Sequence, residues 1–275
     1  MEREPNSGRG LQALVSGKRE ALGRAPTWRT GFIEHTGHTA PRGFVLAMDI
    51  WSRSRHLLGE ENLHKLAQAR VAVIGTGGVG SFAVEALARS GVGFLFLMDP
   101  DVVSPPDINR QLPALRSTQG RPKVEVLAQR CRDINPALEV VPCQERYSWE
   151  KRELVPQRLD FLIDAVDEIE AKVDLILMAR ERDLAMASSM GMGRRLDPTC
   201  VRLGSLQEVK GCPLAREIKR RLRQMGIEPR IQVVYSLELP QDLPSPGAVG
   251  SMIFVPATAG LFLAYAALKG ILDKA

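Results

Sequence analysis

Val71-Ala72-Val73-Ile74-Gly75-Thr76-Gly77-Gly78-Val79-Gly80, answered by Leu95-Phe96-Leu97-Met98-Asp99, decides the fold. Four apolar residues running into a glycine loop, with a helical pattern after it, predict a buried parallel strand feeding a helix. The glycines allow a tight turn, bring backbone N–H groups against a phosphate, and let the helix pack close to the strand. The helix then presents its positive end to an anion. Asp99, at the carboxyl end of the second strand, is placed to bind ribose hydroxyls. These residues predict an adenine nucleotide and leave NAD and ATP both open.

Outward from this loop, strands and helices alternate. Ser81 to Ser90 reads as a helix closed by Gly91, and 101–111 reads as a proline-containing loop. A helix opens at Gly120-Arg121-Pro122-Lys123 and runs to Ile134, with Pro122 suited to a first turn. Strands are predicted at 138–141, 160–167 and 184–190, and a helix at 169–182. The pattern predicts an α/β fold, a doubly wound and mostly parallel sheet with a C-terminal extension. Ligands of such sheets bind at strand carboxyl ends, where Asp99 and Asp167 both fall. Before the first strand, 51–69 reads as helical with a turn at Leu57-Leu58-Gly59. Leu214 to Met225 reads as an amphipathic helix with Leu214, Ile218, Leu222 and Met225 on its apolar face, and Gly226 suits its C-cap. Phe262 to Leu272 reads as a core helix. It is too short to span a membrane, and Pro256 and Gly260 interrupt the apolar run before it.

The 275 residues include 44% hydrophobic, enough for a sizeable core. Residues 1–47 are rich in Gly, Arg, Ser and Thr without apolar periodicity and are expected to be disordered, so the organised unit is expected at 48–275, with Met48 a candidate start. Net charge is +5, compatible with an anionic substrate. Cys131, Cys143, Cys200 and Cys212 form no C-x-x-C pair, which argues against a four-cysteine zinc site. With no apolar signal core near the N-terminus, a reducing, cytoplasmic compartment is the expectation. The four histidines are His35, His38, His56 and His64, so the body after His64 has no histidine base and no Ser-His-Asp triad.

The residues that choose between nucleotides are Asn109, Arg110, Gln111, Lys123 and Asp167, together with Asp99 and Asp101. An NAD enzyme needs the glycines and one ribose acid. Two cations in successive loops and a second strand-end carboxylate suit a triphosphate: Arg and Lys neutralise phosphate oxygens, and a carboxylate holds Mg²⁺. The set favours ATP. Each member also has a plainer reading. Asp164 is a structural strand residue or cap, Asp167 suits a helix N-cap, and Cys212 suits a small buried thiol. The basic positions of 216–223 serve equally as a solvated face or as an RNA contact.

Gly75-Thr-Gly-Gly-Val-Gly80, Asp99-x-Asp101, Asn109-Arg110-Gln111, Lys123 and Asp164-x-x-Asp167 resemble the adenylating domain of the ubiquitin-activating-enzyme-like superfamily (the HesA, MoeB and ThiF proteins). Arg89-Ser90-Gly91-Val92-Gly93, Leu196-Asp197-Pro198-Thr199, Cys212-Pro213-Leu214-Ala215 and Val233-Val234-Tyr235-Ser236 are similar to one branch, the tRNA threonylcarbamoyladenosine dehydratases. The resemblance implies ATP as cofactor on Gly75, Gly77, Gly78 and Gly80, ribose on Asp99, and contacts from Asp101, Asn109 and Gln111. It implies phosphates on Arg110 and Lys123 and Mg²⁺ on Asp167. Arg53 matches an arginine that reaches a neighbouring subunit's nucleotide, which implies a homodimer. The implied activity is ATP-dependent cyclisation of threonylcarbamoyladenosine beside the anticodon, with tRNA contacting Arg216, Lys219, Arg220 and Arg223. The alternative is adenylation of a ubiquitin-like sulfur carrier, and a sulfur-transfer protein is an implied partner. One departure stands out: the superfamily pattern has Asn where this chain has Asp107. The added charge either weakens ATP binding or supplies a further Mg²⁺ ligand.

Overall fold

The computed structural model describes residues 50–228, 231–241 and 249–273; the N-terminal extension 1–47 lies outside them. Fourteen elements follow in chain order: α1 (Ser52–Leu58), α2 (Glu60–Gln68), β1 (Arg70–Ile74), α3 (Gly80–Arg89), β2 (Phe94–Met98), α4 (Lys123–Ile134), β3 (Glu139–Cys143), β4 (Phe161–Asp164), α5 (Ile169–Glu181), β5 (Met186–Ser189), β6 (Val201–Ser205), α6 (Pro213–Gln224), β7 (Gln232–Ser236) and α7 (Phe254–Leu272). The strands form one sheet in the order β3-β2-β1-β4-β5-β7-β6. Every pairing is parallel except β6 with β7. The order reverses between β1 and β4, so the crevice outside their carboxyl ends is the switch point where such sheets bind ligands.

Strand alternation assigns side chains to the two faces. Val71, Val73, Leu95, Leu97, Phe161 and Ile163 pack with α3, α4 and α7. Ala72, Ile74, Phe94, Phe96, Met98 and Leu162 pack on the other face with α5. Because both faces are covered, the central strands read as continuous apolar runs. A third cluster seats Ala215, Ile218 and Leu222 of α6.

Several boundaries differ from the sequence expectation. The 51–69 segment is two helices, broken at Gly59, whose φ of 80° ends the first. β4 stops at Asp164, so Asp167 stands in the loop beyond the strand. Pro122 is the N-cap residue of α4 rather than part of its first turn. β6 was not anticipated: it is a short edge strand with only Val201 fully buried. On α6, Met225 is exposed, and the apolar face is carried by Ala215, Ile218 and Leu222. The C-terminal helix starts at Phe254 and contains both Pro256 and Gly260. Pro256 lies in the first turn, where no N–H is required. Gly260 is a packing residue: a Cβ there would sit 2.2 Å from the Val79 carbonyl oxygen and 2.8 Å from the Phe82 Cβ on α3. With these two residues included, α7 is long and apolar enough to cross a membrane by length and composition, yet half of that stretch is buried within the fold.

Candidate active site

The glycine loop leaves β1 through Gly75, at φ 87°. A Cβ there would meet the Ala165 carbonyl at 2.7 Å, and one on Gly80 would strike the Gly75 carbonyl oxygen at 1.8 Å. These two glycines let the loop fold flat against the chain leaving β4 and back onto α3. Among the described residues, the N–H groups of Gly77, Gly78 and Val79 find no protein acceptor. They lie in the loop and at the N-cap position just ahead of α3, available to an anion.

Asp99 locks the loop. Its Oδ2 accepts from the Thr76 N–H at 2.6 Å and its Oδ1 from the Asp101 N–H at 2.9 Å. A carboxylate has about four lone-pair sites, so two remain for hydroxyl donors.

Asp107 is the hub of the opposite rim. Its Oδ2 accepts from the Ser104 N–H and Oγ at 3.0 and 2.7 Å, and its Oδ1 from Gln111 Nε2 at 2.7 Å. Lys123 Nζ and Arg110 Nη2 each stand 3.7 Å from it. Lys123 is 4% exposed and also pairs with Asp101 at 2.9 Å. The carboxylate of Asp107 is therefore engaged locally, and it holds both cations of the rim.

These residues surround one cavity of about 680 Å³, within the range of small-molecule sites. Gly75, Gly77, Gly78, Asp99, Asp101, Asp107, Arg110, Gln111, Lys123 and Asp167 all line it. Three predicted residues do not. Gly80 is just behind the loop. Asn109 turns away, donating to the Ser251 carbonyl and accepting from Arg110. Arg53 is exposed on α1, outside the cavity of its own chain.

Asp167 is exposed and neither accepts a hydrogen bond nor forms an ion pair with a described residue. It is not the cap of α5, whose N-cap position is Glu168. No group of three or more metal-ligating side chains occurs among the described residues. One free carboxylate beside a triphosphate suits Mg²⁺, which keeps waters and phosphate oxygens as most of its ligands.

Sequence reading missed the rest of the lining. Arg146 and Glu168 form an ion pair at the mouth. Tyr147 is buried, and its hydroxyl donates to Asp174 at 2.8 Å. Burial, and then that hydrogen bond, push the phenol above its ordinary range, so it stays neutral. Met190, Gly191, Met192, Gly193 and Leu214 form the far wall. Of these, the sequence shows Met190 only as the end of a strand, with nothing to mark it as part of a site.

Beneath the cavity lies a closed polar triangle. Lys172 Nζ of α5 donates to Asp164 Oδ2 at 2.9 Å and to Ser188 Oγ at 3.2 Å, and Ser188 Oγ donates to Asp164 at 2.6 Å. All three are fully buried. Asp164 also accepts from the Val166 N–H at 3.1 Å, which fixes the start of the loop carrying Asp167. The structural reading of Asp164 holds.

A model of the ThiF family matches residues 51–274. A Bacillus subtilis tRNA threonylcarbamoyladenosine dehydratase is 42% identical over 191 residues, 69% of this chain and 75% of that protein. An Escherichia coli protein of the same name is 35% identical over 184 residues, 65% of this chain and 69% of that one. The crystal structure of E. coli tRNA N6-threonylcarbamoyladenosine dehydratase in complex with ATP superposes with a TM-score of 0.77 at 33% identity, covering 82% of this chain and 95% of that one. With the fold, the glycine loop and a family match over most of its length in agreement, this chain belongs to the ThiF family.

Proposed function

We propose that this chain is an ATP-dependent tRNA threonylcarbamoyladenosine dehydratase. The observation that carries it is a single cavity at the β1–β4 switch point uniting the glycine loop, Asp99, Arg110, Lys123 and Asp167. Relatives sharing 35–42% identity bear that name, and the solved relative was crystallised with ATP.

In this reading Asp99 takes the ribose hydroxyls, and the free N–H groups of Gly77, Gly78 and Val79 take phosphate oxygens. Arg110 and Lys123 neutralise the remaining phosphate charge. Asp167 would hold Mg²⁺, which supplies further charge neutralisation on the phosphates when bound. The substrate's threonine carboxylate oxygen attacks the α-phosphorus and pyrophosphate leaves. The neighbouring carbamoyl group then closes on the activated carboxyl carbon and expels AMP, for a net loss of one water. Closure within one molecule draws on a high effective molarity. The protein's tasks are alignment and electrostatic stabilisation, which need no histidine.

Arg53, exposed on α1 and outside the cavity of its own chain, is assigned in this reading to the nucleotide of a homodimer partner. On α6 the cations divide. Arg220 is forked onto Glu217 at 2.8 and 2.5 Å, and Arg221 bridges Glu217 and Glu170 at 3.0 and 2.9 Å. The hydrogen bonds from those two arginines hold the Glu217 carboxyl down at about 2, so it is ionised at working pH. Arg216, Lys219 and Arg223 carry no carboxylate partner among the described residues and are the first tRNA contacts in this reading, while Arg220 on the same face would have to exchange its exposed pair with Glu217 for a phosphate.

Arg110→Ala and Lys123→Ala are expected to lower kcat/KM for ATP-dependent dehydration of modified tRNA by a factor of about 100 or more each. Arg110 is a rim residue, so its variant stays folded by circular dichroism. Wild-type turnover in both variants would refute the assignment.

A further inference from the structure

Along the carboxyl edge of the sheet the order is β2, β1, β4, β5. Asp99 follows β2, the glycine loop follows β1, and Asp167 follows β4. The nucleotide features therefore occupy three consecutive places, and the cavity continues into a fourth, behind β5. Its wall is built by Met190, Gly191, Met192, Gly193, Leu214 and Val249. No charged side chain is among them. Thioether and aliphatic surface beside bare glycine backbone suits a flat heteroaromatic ring.

The wall is rigidly held. Arg195 is buried, and its guanidinium donates to the Gly191 carbonyl at 2.6 Å, the Gly193 carbonyl at 3.1 Å and the Glu238 carbonyl at 2.8 Å. A Cβ at Gly193 would meet Val249 Cγ1 at 2.3 Å, so a side chain there would displace Val249 from the wall.

The first turn of α6 joins this wall to a second groove. Leu214 faces the cavity, and its neighbours Cys212 and Pro213 line a groove of about 330 Å³ with Arg216, Lys219 and Arg223. Lys219 donates one N–H to the Val209 carbonyl at 2.8 Å and keeps two. Arg216 and Arg223 form no ion pair with any described residue, whereas Arg220, one turn from Arg216 on the same face of the helix, and Arg221 are paired with Glu217. An apolar seat and a cationic groove thus lie within one helical turn of each other.

We infer that the β5–α6 wall is the seat of the substrate's modified adenosine, turned out of the anticodon loop, with the flanking RNA phosphates on Arg216, Lys219 and Arg223. The inference rests on the dehydratase reading and adds to it the side from which the RNA enters and the surface on which the base lies. A base stacked among its neighbours cannot reach a cavity at the strand ends, so the nucleotide has to leave the stack. Its threonine carboxylate then meets the bound nucleotide from the β5 side, opposite the ribose acid.

The test is graded filling of the seat. Leu214→Met, Leu214→Phe and Leu214→Trp are compared for KM with modified tRNA, for ATP affinity by calorimetry, and for affinity toward unmodified tRNA by fluorescence anisotropy. Leu214 is half-buried at the start of a helix, and the milder Phe variant keeps the series readable if Trp destabilises the fold. The expected result is a KM rising with side-chain size, tenfold or more for Trp, with ATP and unmodified-tRNA affinities within twofold of wild type. Arg216→Ala with Arg223→Ala is expected to weaken modified and unmodified tRNA equally and to reduce the salt slope of binding by about two. A KM indifferent to residue 214, or a parallel loss of ATP affinity, would overturn the seat. Tight binding of an acidic protein at the groove with no response to tRNA would overturn the RNA assignment. Failure of the wild-type protein to dehydrate modified tRNA at all would instead defeat the underlying reading.

Discussion

Asp107 concentrates three donors and two cations on one buried carboxylate. It competes with the phosphates for Lys123 and Arg110, while also holding both in place. Gln111 reveals how an amide would fit there: its Oε1 is buried without a hydrogen-bond partner. Asp107→Asn removes the negative charge and supplies an N–H that this oxygen, after a flip of the Gln111 amide, can accept. The variant is expected to bind ATP several-fold more tightly in calorimetry, at little cost in thermal stability. Weaker ATP binding would show instead that the charge of Asp107 is required to position Lys123. The position was legible in the sequence as a departure from pattern. Its role was not, because that role depends on Ser104, Gln111 and Lys123 meeting around it. Asn109 illustrates the converse. Its place beside Arg110 and Gln111 pointed to the nucleotide, but its side chain is spent on the Ser251 carbonyl 142 residues away.

At the scale of elements, the Lys172–Asp164–Ser188 triangle ties α5, β4 and β5 together directly below the cavity floor. Breaking a buried pair by removing one partner leaves an uncompensated charge, whereas neutralising both is far milder. Lys172→Met is therefore expected to lose about 3–5 kcal/mol in urea denaturation, and adding Asp164→Asn is expected to recover much of that loss. A double variant no more stable than the single one would contradict the account. The elements best read in advance, β1, β2 and α3, are those whose local pattern and tertiary burial agree. β6 escaped because it is a five-residue antiparallel edge strand, buried at one end only, and its pairing with β7 is set at long range. The early start of α7 escaped because Pro256 and Gly260 read as breakers. Their tolerance comes from the first helical turn and from the close approach of α3, neither of which is local information.

At the scale of the whole molecule, the sheet order brings the carboxyl ends of β2, β1, β4 and β5 to a single crevice. Residues as far apart as Gly75 and Leu214 line the same cavity. The nucleotide half of this site could be read from the chain, since glycine spacing and strand-end acids are local signals. The apolar half could not, because Met190, Met192 and Leu214 look like ordinary core residues until the topology turns them toward the cavity. The net charge of +5 is likewise uninformative until the cations of α6 are sorted into those held by Glu217 and those left free. The central claim is that this cavity uses ATP to remove water from a modified adenosine in tRNA. Nucleoside mass spectrometry of threonylcarbamoyl-modified tRNA, incubated with the protein and ATP·Mg²⁺, tests it most directly. Threonylcarbamoyladenosine is expected to convert to a product lighter by one water, dependent on ATP and abolished in Arg110→Ala. An unchanged nucleoside mass in the presence of folded, ATP-binding protein would contradict it.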